Sequence, residues 1–182
     1  MKPDARGGAQ LSALPMPDRD HIQGPTDAPI KLLEYGDYQC PYCGEAYPVV
    51  KEVQKRLRGR LCFAFRNFPL VNSHPYAQHA AEAAEAAGAQ GRFWEMHDLL
   101  YENQEALADQ DLSRYAAALA LDAKRLMSDV LAGTHTARVR EDFRSGARLG
   151  VNGTPSFFIN GVLYDGAVAV DDLMVALAEQ AR

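Results

Sequence analysis

The chain has 182 residues and a mass of 20.0 kDa, which suits one ordinary domain or one domain with a large insertion. Hydrophobic residues make up 47% and charged residues 24%, close to the average for soluble proteins, so the composition argues against a largely disordered chain. The net charge of −5 is not concentrated in clusters, which argues against a nucleic acid or an anionic membrane as partner.

The N-terminus is polar and rich in Gly, Pro and Asp. Its one apolar cluster, Leu11–Met16, is short and broken by Pro15, so no secretory leader is predicted, although a chain from which a leader had been removed would show the same pattern. The longest stretch without a charged residue, 149–164, contains Gly, Asn and Pro, which is not typical of a membrane span. We therefore expect an N-terminal tail over residues 1–24 and a cytoplasmic protein.

A strand, a helix and a second strand are predicted next. The apolar run Ile30–Tyr35 follows Pro29, which marks where a strand can start. A helical stripe of apolar residues then runs from about Pro41 to Leu57, and Arg60–Phe68 is a second strand.

The segment from Tyr76 to Leu149 is predicted to be almost entirely helical. No proline occurs between Pro75 and Pro155, and 18 of the 29 alanines lie in this interval. Alanine is the best helix former and proline the worst. Five helices are expected, near Tyr76–Ala89, Phe93–Asn103, Leu112–Leu121, Ala123–Leu131 and His135–Arg148. Asp111, Asp122 and Thr134 are candidate N-caps.

The C-terminal part combines a hairpin with a last helix. Asn160-Gly161 separates two short apolar β-formers, which is the signature of a two-residue hairpin turn. Asp171 can cap a final helix. The order predicts an α/β fold: a small mixed sheet formed by residues 25–75 and 150–182, with residues 76–149 as an all-helical insertion.

Cys40 and Cys43 form a Cys-x-x-Cys pair, which is typical of redox chemistry, of half a metal site, or of coincidence. The pair straddles the junction between the first strand and the first helix, and this placement favours redox chemistry. At a helix N-terminus a thiolate is stabilised, so the pKa of Cys40 should fall and Cys40 should be the nucleophile. Pro41 suits the first helical position. Cys43, one turn further on, should be more buried and should resolve the mixed disulfide.

Tyr38, Gln39 and Gly44 indicate a partly exposed turn around this pair. Glu34 shares one face of the first strand with apolar neighbours, where a carboxylate should have a raised pKa. Close to Cys43 it could accept and return the proton of that thiol. The alternative is an exposed glutamate at the strand end. Asp37 is a rival, interpreted as a turn residue or a helix-start acid.

The other candidates have structural explanations. Cys62 alternates within an apolar strand and is interpreted as a buried, inert thiol. No histidine spacing completes a zinc site with the cysteine pair, and His79 and His97 are assigned surface or packing roles. Phe93, Trp94, Met96 and Leu100 form a helical stripe typical of a core. Phe65, Phe68, Pro69 and Leu70 are core residues or the lining of a peptide groove, and Glu82 and Glu85 are predicted to lie on a solvated face.

Several segments together resemble the DsbA-like family of thioredoxin-fold thiol–disulfide oxidoreductases. They are LLEYGDYQCPYCG (32–44), FRNFPL (65–70), GVNGTPSFFINGVLYDG (150–166) and the helical insertion between them. The resemblance implies a thioredoxin-like sheet with a large helical insertion. From sequence alone Pro155 would be a trans proline at a strand start, but the resemblance implies a cis Thr154–Pro155 peptide facing the cysteines. It also implies that Glu34 matches the family's buried acid. The dipeptide Pro41-Tyr42 departs from the Pro-His of the best-known DsbA proteins and occurs in many glutaredoxins.

We therefore expect a thiol–disulfide oxidoreductase, a monomer without a cofactor or metal. Cys40 attacks, Cys43 resolves, and Glu34 moves a proton. Thr154 and Pro155, with Pro41 and Tyr42, bind the substrate. Its partners would be protein or peptide thiols and disulfides, and a redox partner that resets the site. The alternatives are a glutathione-linked, glutaredoxin-like reductase and a non-catalytic thiol- or metal-binding interaction module.

Overall fold

The computed structural model of the chain describes residues 13–180. Within that range it contains five strands and seven helices. In chain order they are β1 (His21–Gln23), β2 (Ile30–Gly36), α1 (Pro41–Arg56), β3 (Leu61–Asn67), α2 (Ala77–Gly88), α3 (Phe93–Glu102), α4 (Asp109–Ala118), α5 (Ala123–Ala132), α6 (Thr136–Arg148), β4 (Ser156–Ile159), β5 (Val162–Tyr164) and α7 (Val170–Gln180).

The strands form one mixed sheet in the order β1-β3-β2-β4-β5. Strands β2 and β3 are parallel and are joined by α1, whereas the other three pairs are antiparallel. Helices α2 to α6 all lie between β3 and β4 in the chain. This is the predicted fold, a thioredoxin-like sheet with a large helical insertion.

Alternation along the central strand separates two buried layers. Ile30 and Leu32 of β2 pack in the larger core together with the buried face of α1, which includes Cys43. Leu33 and Tyr35, whose side chains point the other way, belong to a smaller core on the opposite face of the sheet. Glu34 has the same parity as Ile30 and Leu32, so it faces the α1 side of the sheet. The strand therefore places a carboxylate in the layer that holds the cysteine pair.

The hairpin prediction is confirmed. Asn160 and Gly161 connect β4 to β5, with φ values of 47° and 88°. Positive φ at both central residues is what a type I′ turn requires, and Asn followed by Gly meets that requirement with the least strain. The turn fixes the antiparallel register of β4, which begins directly after Pro155.

All five helices of the insertion are present, but two of the three predicted N-caps are wrong. Asp122 caps α5 as predicted, since its carboxylate accepts a hydrogen bond from the Arg125 N–H at 3.0 Å. Helix α4 begins at Asp109 rather than at Leu112, so Asp111 lies inside the first turn and accepts from the Ala108 N–H instead. The cap position of α6 is His135 rather than Thr134.

Strand β1 is absent from the sequence-based prediction and lies within the range 1–24 assigned to a tail. Its three residues pair antiparallel with β3. The residue before it, Asp20, forms a two-point ion pair with the buried Arg66 of β3, at 2.7 and 2.9 Å. A three-residue strand carries too little apolar pattern to be predicted, and the ion pair beside it joins residues 46 positions apart in the chain.

The prediction that Glu82 and Glu85 lie on a solvated face is wrong. Both are buried, because α2 packs against α3, α5 and α6. Their carboxylates have polar partners distant in sequence: Glu85 contacts His21 and Asn67. Buried carboxylates are tolerated when such partners replace water.

Candidate active site

Cys40 occupies the N-cap position of α1 and Pro41 is the first residue of the helix. The φ and ψ angles of Cys40, −71° and 123°, are extended, as is usual for an N-cap residue. Proline is tolerated here because the first N–H groups of a helix have no intrahelical partner. Cys43 lies one turn into the helix. The strand-to-helix placement predicted for the pair is therefore confirmed.

The two thiols are free and electrostatically different. The pKa of Cys40 is lowered from 9.0 to about 5, chiefly by a hydrogen bond from the Cys43 thiol and against the opposing effect of burial. The backbone N–H groups of Cys43 and Tyr42 at the helix start lower it further. Burial, above all, raises the pKa of Cys43 well above its ordinary value. One sulfur is thus a thiolate at neutral pH and the other is a thiol.

Cys40 is less accessible than the sequence indicated. Only 3% of the residue is exposed and Cys43 is fully buried, while Tyr38, predicted to lie in a partly exposed turn, is also buried. The peptide Thr154–Pro155 is cis, as the resemblance implied. The carbonyl oxygen of Thr154 lies 3.4 Å from Cys40 Sγ. The proline loop and the nucleophile therefore face each other directly.

The hydroxyl of Thr154 is buried, and among residues 13–180 it has no hydrogen-bond partner within bonding geometry. The hydroxyl can turn toward a thiolate at Cys40, and Thr154 is among the groups that lower the Cys40 pKa. Thr154 thus contacts the reactive sulfur through its carbonyl and can reach it through its side chain.

Glu34 is 3% exposed, so the alternative of an exposed strand-end glutamate is wrong. Desolvation raises its pKa from 4.5 to about 8. Its negative charge also contributes to the raised pKa of Cys43, and the parity of β2 puts both groups on the α1 side of the sheet. A carboxyl group with a pKa near neutrality can both accept and return a proton at physiological pH.

Asp37 is buried and holds the loop around the site together. One carboxylate oxygen accepts from the Gln39 N–H, and the other accepts from the Leu70 N–H and contacts His74 Nδ1, each at 2.8 Å. This is the predicted role of a turn residue. With both oxygens occupied, Asp37 is not a rival to Glu34 as a proton carrier.

Gln104 has a role in the site that the sequence did not predict. Its side-chain amide donates to the carbonyl oxygens of Cys40 and Tyr38, at 2.8 and 2.9 Å. A Cβ at Gly44 would lie 2.0 Å from the Gln104 side-chain oxygen, so glycine is needed for this approach. Gln104 follows α3 in the insertion, 64 residues along the chain from Cys40, and no local pattern connects the two.

An exposed apolar rim borders the cysteine pair. Tyr42 is 69% exposed, Val71 52% and Tyr76 47%. The backbone N–H of Tyr76 donates to Gln39, next to Cys40, at 2.7 Å, and Val71 follows Leu70, which is bonded to Asp37. Exposed aromatic and aliphatic groups around a reactive centre favour contact with a polypeptide.

The remaining candidates lie away from the reaction or have structural roles. Cys62 is buried in β3 opposite Lys31, and burial raises its pKa. His97 is buried among aromatic rings with Nδ1 3.0 Å from the Tyr38 hydroxyl, and desolvation lowers its pKa to about 3. Phe65 and Phe68 are core residues. In the part of the chain that the structure describes, no three His, Cys, Asp or Glu residues are placed to bind a metal ion.

The fold and the cysteine pair at the start of α1 define a thioredoxin-fold protein with a large helical insertion between β3 and β4. The chain belongs to the thioredoxin family: the family model described as "Thioredoxin" matches residues 17–179.

Solved structures with the same fold include BdbD from Bacillus subtilis, with a TM-score of 0.83 and 22% identity over 94% of this chain and 97% of that one. A thioredoxin-like oxidoreductase from Silicibacter pomeroyi has a TM-score of 0.78 and 27% identity, over 88% and 91% of the two chains. Alpha-DsbA1 from Wolbachia pipientis has a TM-score of 0.78 and 20% identity, over 92% and 93%.

The curated relatives of this chain are named as ion antiporters rather than as thioredoxins. A Na(+)/H(+) antiporter, NhaA 1, of Salinispora arenicola is 45% identical over 88% of this chain, which is 24% of its own length. A protein of the same name from a Mycobacterium species is 42% identical over 88% of this chain and 27% of its own. The chain thus spans about a quarter of the curated relatives it matches. Among residues 13–180, no helix is both long and apolar enough to cross a membrane.

Proposed function

We propose that the chain exchanges disulfides with protein or peptide substrates through Cys40 and Cys43. The observation that carries this proposal is a thiol with a pKa of about 5 at a helix start, one turn from a second thiol and 3.4 Å from the carbonyl of a cis Thr154–Pro155 peptide. The thiolate is the reactive form of cysteine in disulfide exchange.

In the reductive direction, the Cys40 thiolate attacks one sulfur of a substrate disulfide. A mixed disulfide forms and the other substrate sulfur leaves as a thiolate. Cys43 then loses its proton to the ionised form of Glu34 and attacks Cys40 Sγ, which closes the Cys40–Cys43 disulfide and releases the second substrate sulfur as a thiolate. The oxidative direction is the reverse of these steps, with Glu34 returning the proton to Cys43.

The surroundings of the pair fit a polypeptide substrate. Thr154 and Pro155 present backbone beside the nucleophile, where an extended segment can align by main-chain contacts. Pro41 and Tyr42, which follow Cys40 and are both exposed, would contact the same segment. The partner that resets the pair would be a second dithiol or disulfide protein. Cytoplasmic location and a monomeric state stay predictions.

The test is reduction of a protein disulfide by the unaltered chain and by three cysteine variants, with dithiothreitol as reductant. Cys40→Ser should abolish catalysis, and Cys43→Ser, mixed with the protein disulfide in the absence of dithiothreitol, should accumulate a mixed disulfide on Cys40, detected by mass spectrometry. Cys62→Ser is the matched control, since that thiol lies outside the site. An unchanged rate in Cys40→Ser would exclude the proposal.

Two further measurements test the alternative functions, a glutathione-linked reductase and a non-catalytic thiol- or metal-binding module. A glutaredoxin-like reductase should work with glutathione as the only reductant, and the Pro41-Tyr42 dipeptide is the feature that favours testing it. A non-catalytic module should show equally slow alkylation of Cys40 and Cys43 at mildly acidic pH, where ordinary thiols are protonated. We do not propose ion transport for this chain, because it matches only 24% of the length of the antiporter relative.

A further inference from the structure

A groove of about 600 Å³ lies between the loop that follows β3 and helix α6. Its walls are mostly apolar and include Pro69, Leu70, Val71, Val139 and Phe143. The volume is in the range of sites that bind small molecules or side chains. None of the exchange steps proposed above uses this groove.

A buried carboxylate, Glu82, lines this groove. One of its oxygens accepts hydrogen bonds from Gln78 Nε2 at 2.8 Å and from the Thr136 hydroxyl at 2.6 Å. The other oxygen, Oε2, is buried and has no hydrogen-bond donor among residues 13–180. Buried carboxylate oxygens are normally paired, because an unpaired one loses its hydration without compensation. Because Oε2 itself is covered by protein atoms, a group bound in the groove would pair with it only after the Glu82 carboxylate turns toward the groove.

The groove is close to the cleft beside the nucleophile. Asn152, one of its lining residues, is two residues before Thr154, so their Cα atoms are at most ~7.6 Å apart. On the other side, the Leu70 N–H is bonded to Asp37, whose carbonyl accepts the Cys40 N–H at 3.1 Å. A polypeptide held at Thr154 can therefore place a neighbouring side chain in the groove.

We propose that this groove is a specificity subsite for a lysine side chain of an extended protein substrate; the inference rests on the exchange function proposed above. The apolar walls suit the four-carbon stem of lysine, and the ammonium group would donate to Glu82 Oε2. Arginine suits the groove less well, because its planar fork pairs best with two free carboxylate oxygens, and one oxygen of Glu82 is already occupied. Arg140 also lines the groove, but it is exposed and its charge is screened by water.

The probes are short peptides in which a single cysteine forms a mixed disulfide with thionitrobenzoate. The Cys40 thiolate attacks the peptide sulfur, the Cys40–peptide disulfide forms, and thionitrobenzoate leaves with the electron pair and is measured by its colour. Each peptide varies at one position only, which is one of the three positions before the cysteine or one of the three after it. The residue at that position is lysine, acetyl-lysine, arginine or norleucine. At one or two of these positions, lysine should raise the second-order rate constant about tenfold over norleucine. Acetyl-lysine should lose this gain, and arginine should keep only a small part of it.

The variant Glu82→Gln should bring the lysine-to-norleucine ratio close to one. The matched control is Glu95→Gln, which changes the net charge equally at an exposed carboxylate outside the groove, and it should keep the ratio of the unaltered protein. Equal rates for lysine and norleucine at every position, or an advantage that survives Glu82→Gln, would overturn the subsite. If Glu82→Gln does not fold, the comparison of lysine with acetyl-lysine on the unaltered protein decides. Release of thionitrobenzoate from no peptide, or release independent of Cys40, would overturn the exchange function itself.

Discussion

Gln104 in the helical insertion holds the backbone of Cys40 in the sheet domain, with its side-chain amide 2.8 Å from the Cys40 carbonyl oxygen. The same amide donates to the carbonyl of Tyr38, two residues earlier. The Cys40 carbonyl also accepts the Gly44 N–H at 3.1 Å, the first hydrogen bond of α1. The insertion therefore fixes the orientation of the helix start, and with it the N–H groups that stabilise the thiolate.

We expect Gln104→Leu to raise the pKa of Cys40, because the helix start is then free to turn its N–H groups away from the sulfur. The pH midpoint of Cys40 alkylation should move upward, with a rate at pH 5 that is lower by roughly threefold or more. The free energy of unfolding should fall by about 1–2 kcal/mol from the lost hydrogen bonds. Gln90→Leu is the control, since Gln90 makes a similar bond to the backbone of Asp122, outside the site; it should leave the alkylation midpoint unchanged.

Gly44→Ala tests the same contact from the other side. A Cβ at Gly44 would displace the Gln104 side chain, whose oxygen lies 2.0 Å from that position. The Cys40 pKa should rise as in Gln104→Leu, although alanine in a helix is more favourable than glycine by about 1 kcal/mol. The double variant should show no further rise in the alkylation midpoint. Additive shifts in the double variant would mean that Gln104 does not mediate the effect of Gly44.

Glu34→Gln should stabilise the protein while slowing the resolving step. The pKa of Glu34 is raised from 4.5 to about 8 by burial, so between these values the folded state keeps a proton that the unfolded state loses. The free energy of unfolding therefore falls as pH rises through this window, by up to about 1.4 kcal/mol per pH unit. Glu34→Gln has no such pH-dependent loss. The difference in free energy of unfolding between the variant and the unaltered protein, measured by urea denaturation, should therefore grow from pH 4.5 to pH 8 and then level off.

The same variant removes the carboxylate that we propose accepts the proton of Cys43. The mixed disulfide on Cys40 should persist longer, by about 100-fold if Glu34 acts as a general base, as followed by quenched mass spectrometry. Glu105→Gln, at an exposed glutamate, is the control and should change neither property. A mixed disulfide that resolves at the unaltered rate in Glu34→Gln would show that the role of Glu34 is structural only.

Asp20→Asn should destabilise the fold by about 3 kcal/mol, because it weakens a buried ion pair and leaves the positive charge of Arg66 less well compensated. The side chains of both residues are almost completely buried. Urea denaturation measures the change, and Asp18→Asn, at an exposed neighbour, should alter stability by less than about 0.5 kcal/mol. Equal stabilities of the two variants would mean that the segment before β1 does not contribute to the fold.

Features with a strong local pattern were predictable from the sequence. The Asn160–Gly161 hairpin, the helix start at Pro41 and the burial of Glu34 each follow from turn chemistry, capping preference or strand alternation. The cis Thr154–Pro155 peptide did not follow from local chemistry, and its prediction depended on resemblance to a family.

Features that depend on contacts distant in sequence were not predictable. In the sequence, Glu82 and Glu85 resemble a solvated face, because charged residues are usually exposed. Their burial depends on partners outside α2, such as Asn67 and Thr136. The bond from Gln104 to Cys40 has no sequence signature for the same reason. Strand β1 is too short for its pattern to differ from that of a loop.

The most direct test of the central claim is alkylation of the three thiols by iodoacetamide as a function of pH, resolved for each cysteine by mass spectrometry. We predict a midpoint near pH 5 for Cys40, from its lowered pKa. Cys43 and Cys62, whose pKa values are raised by burial, should remain almost unmodified up to at least pH 8. A common midpoint near pH 9 for all three thiols would contradict the account, because Cys40 would then be an ordinary thiol.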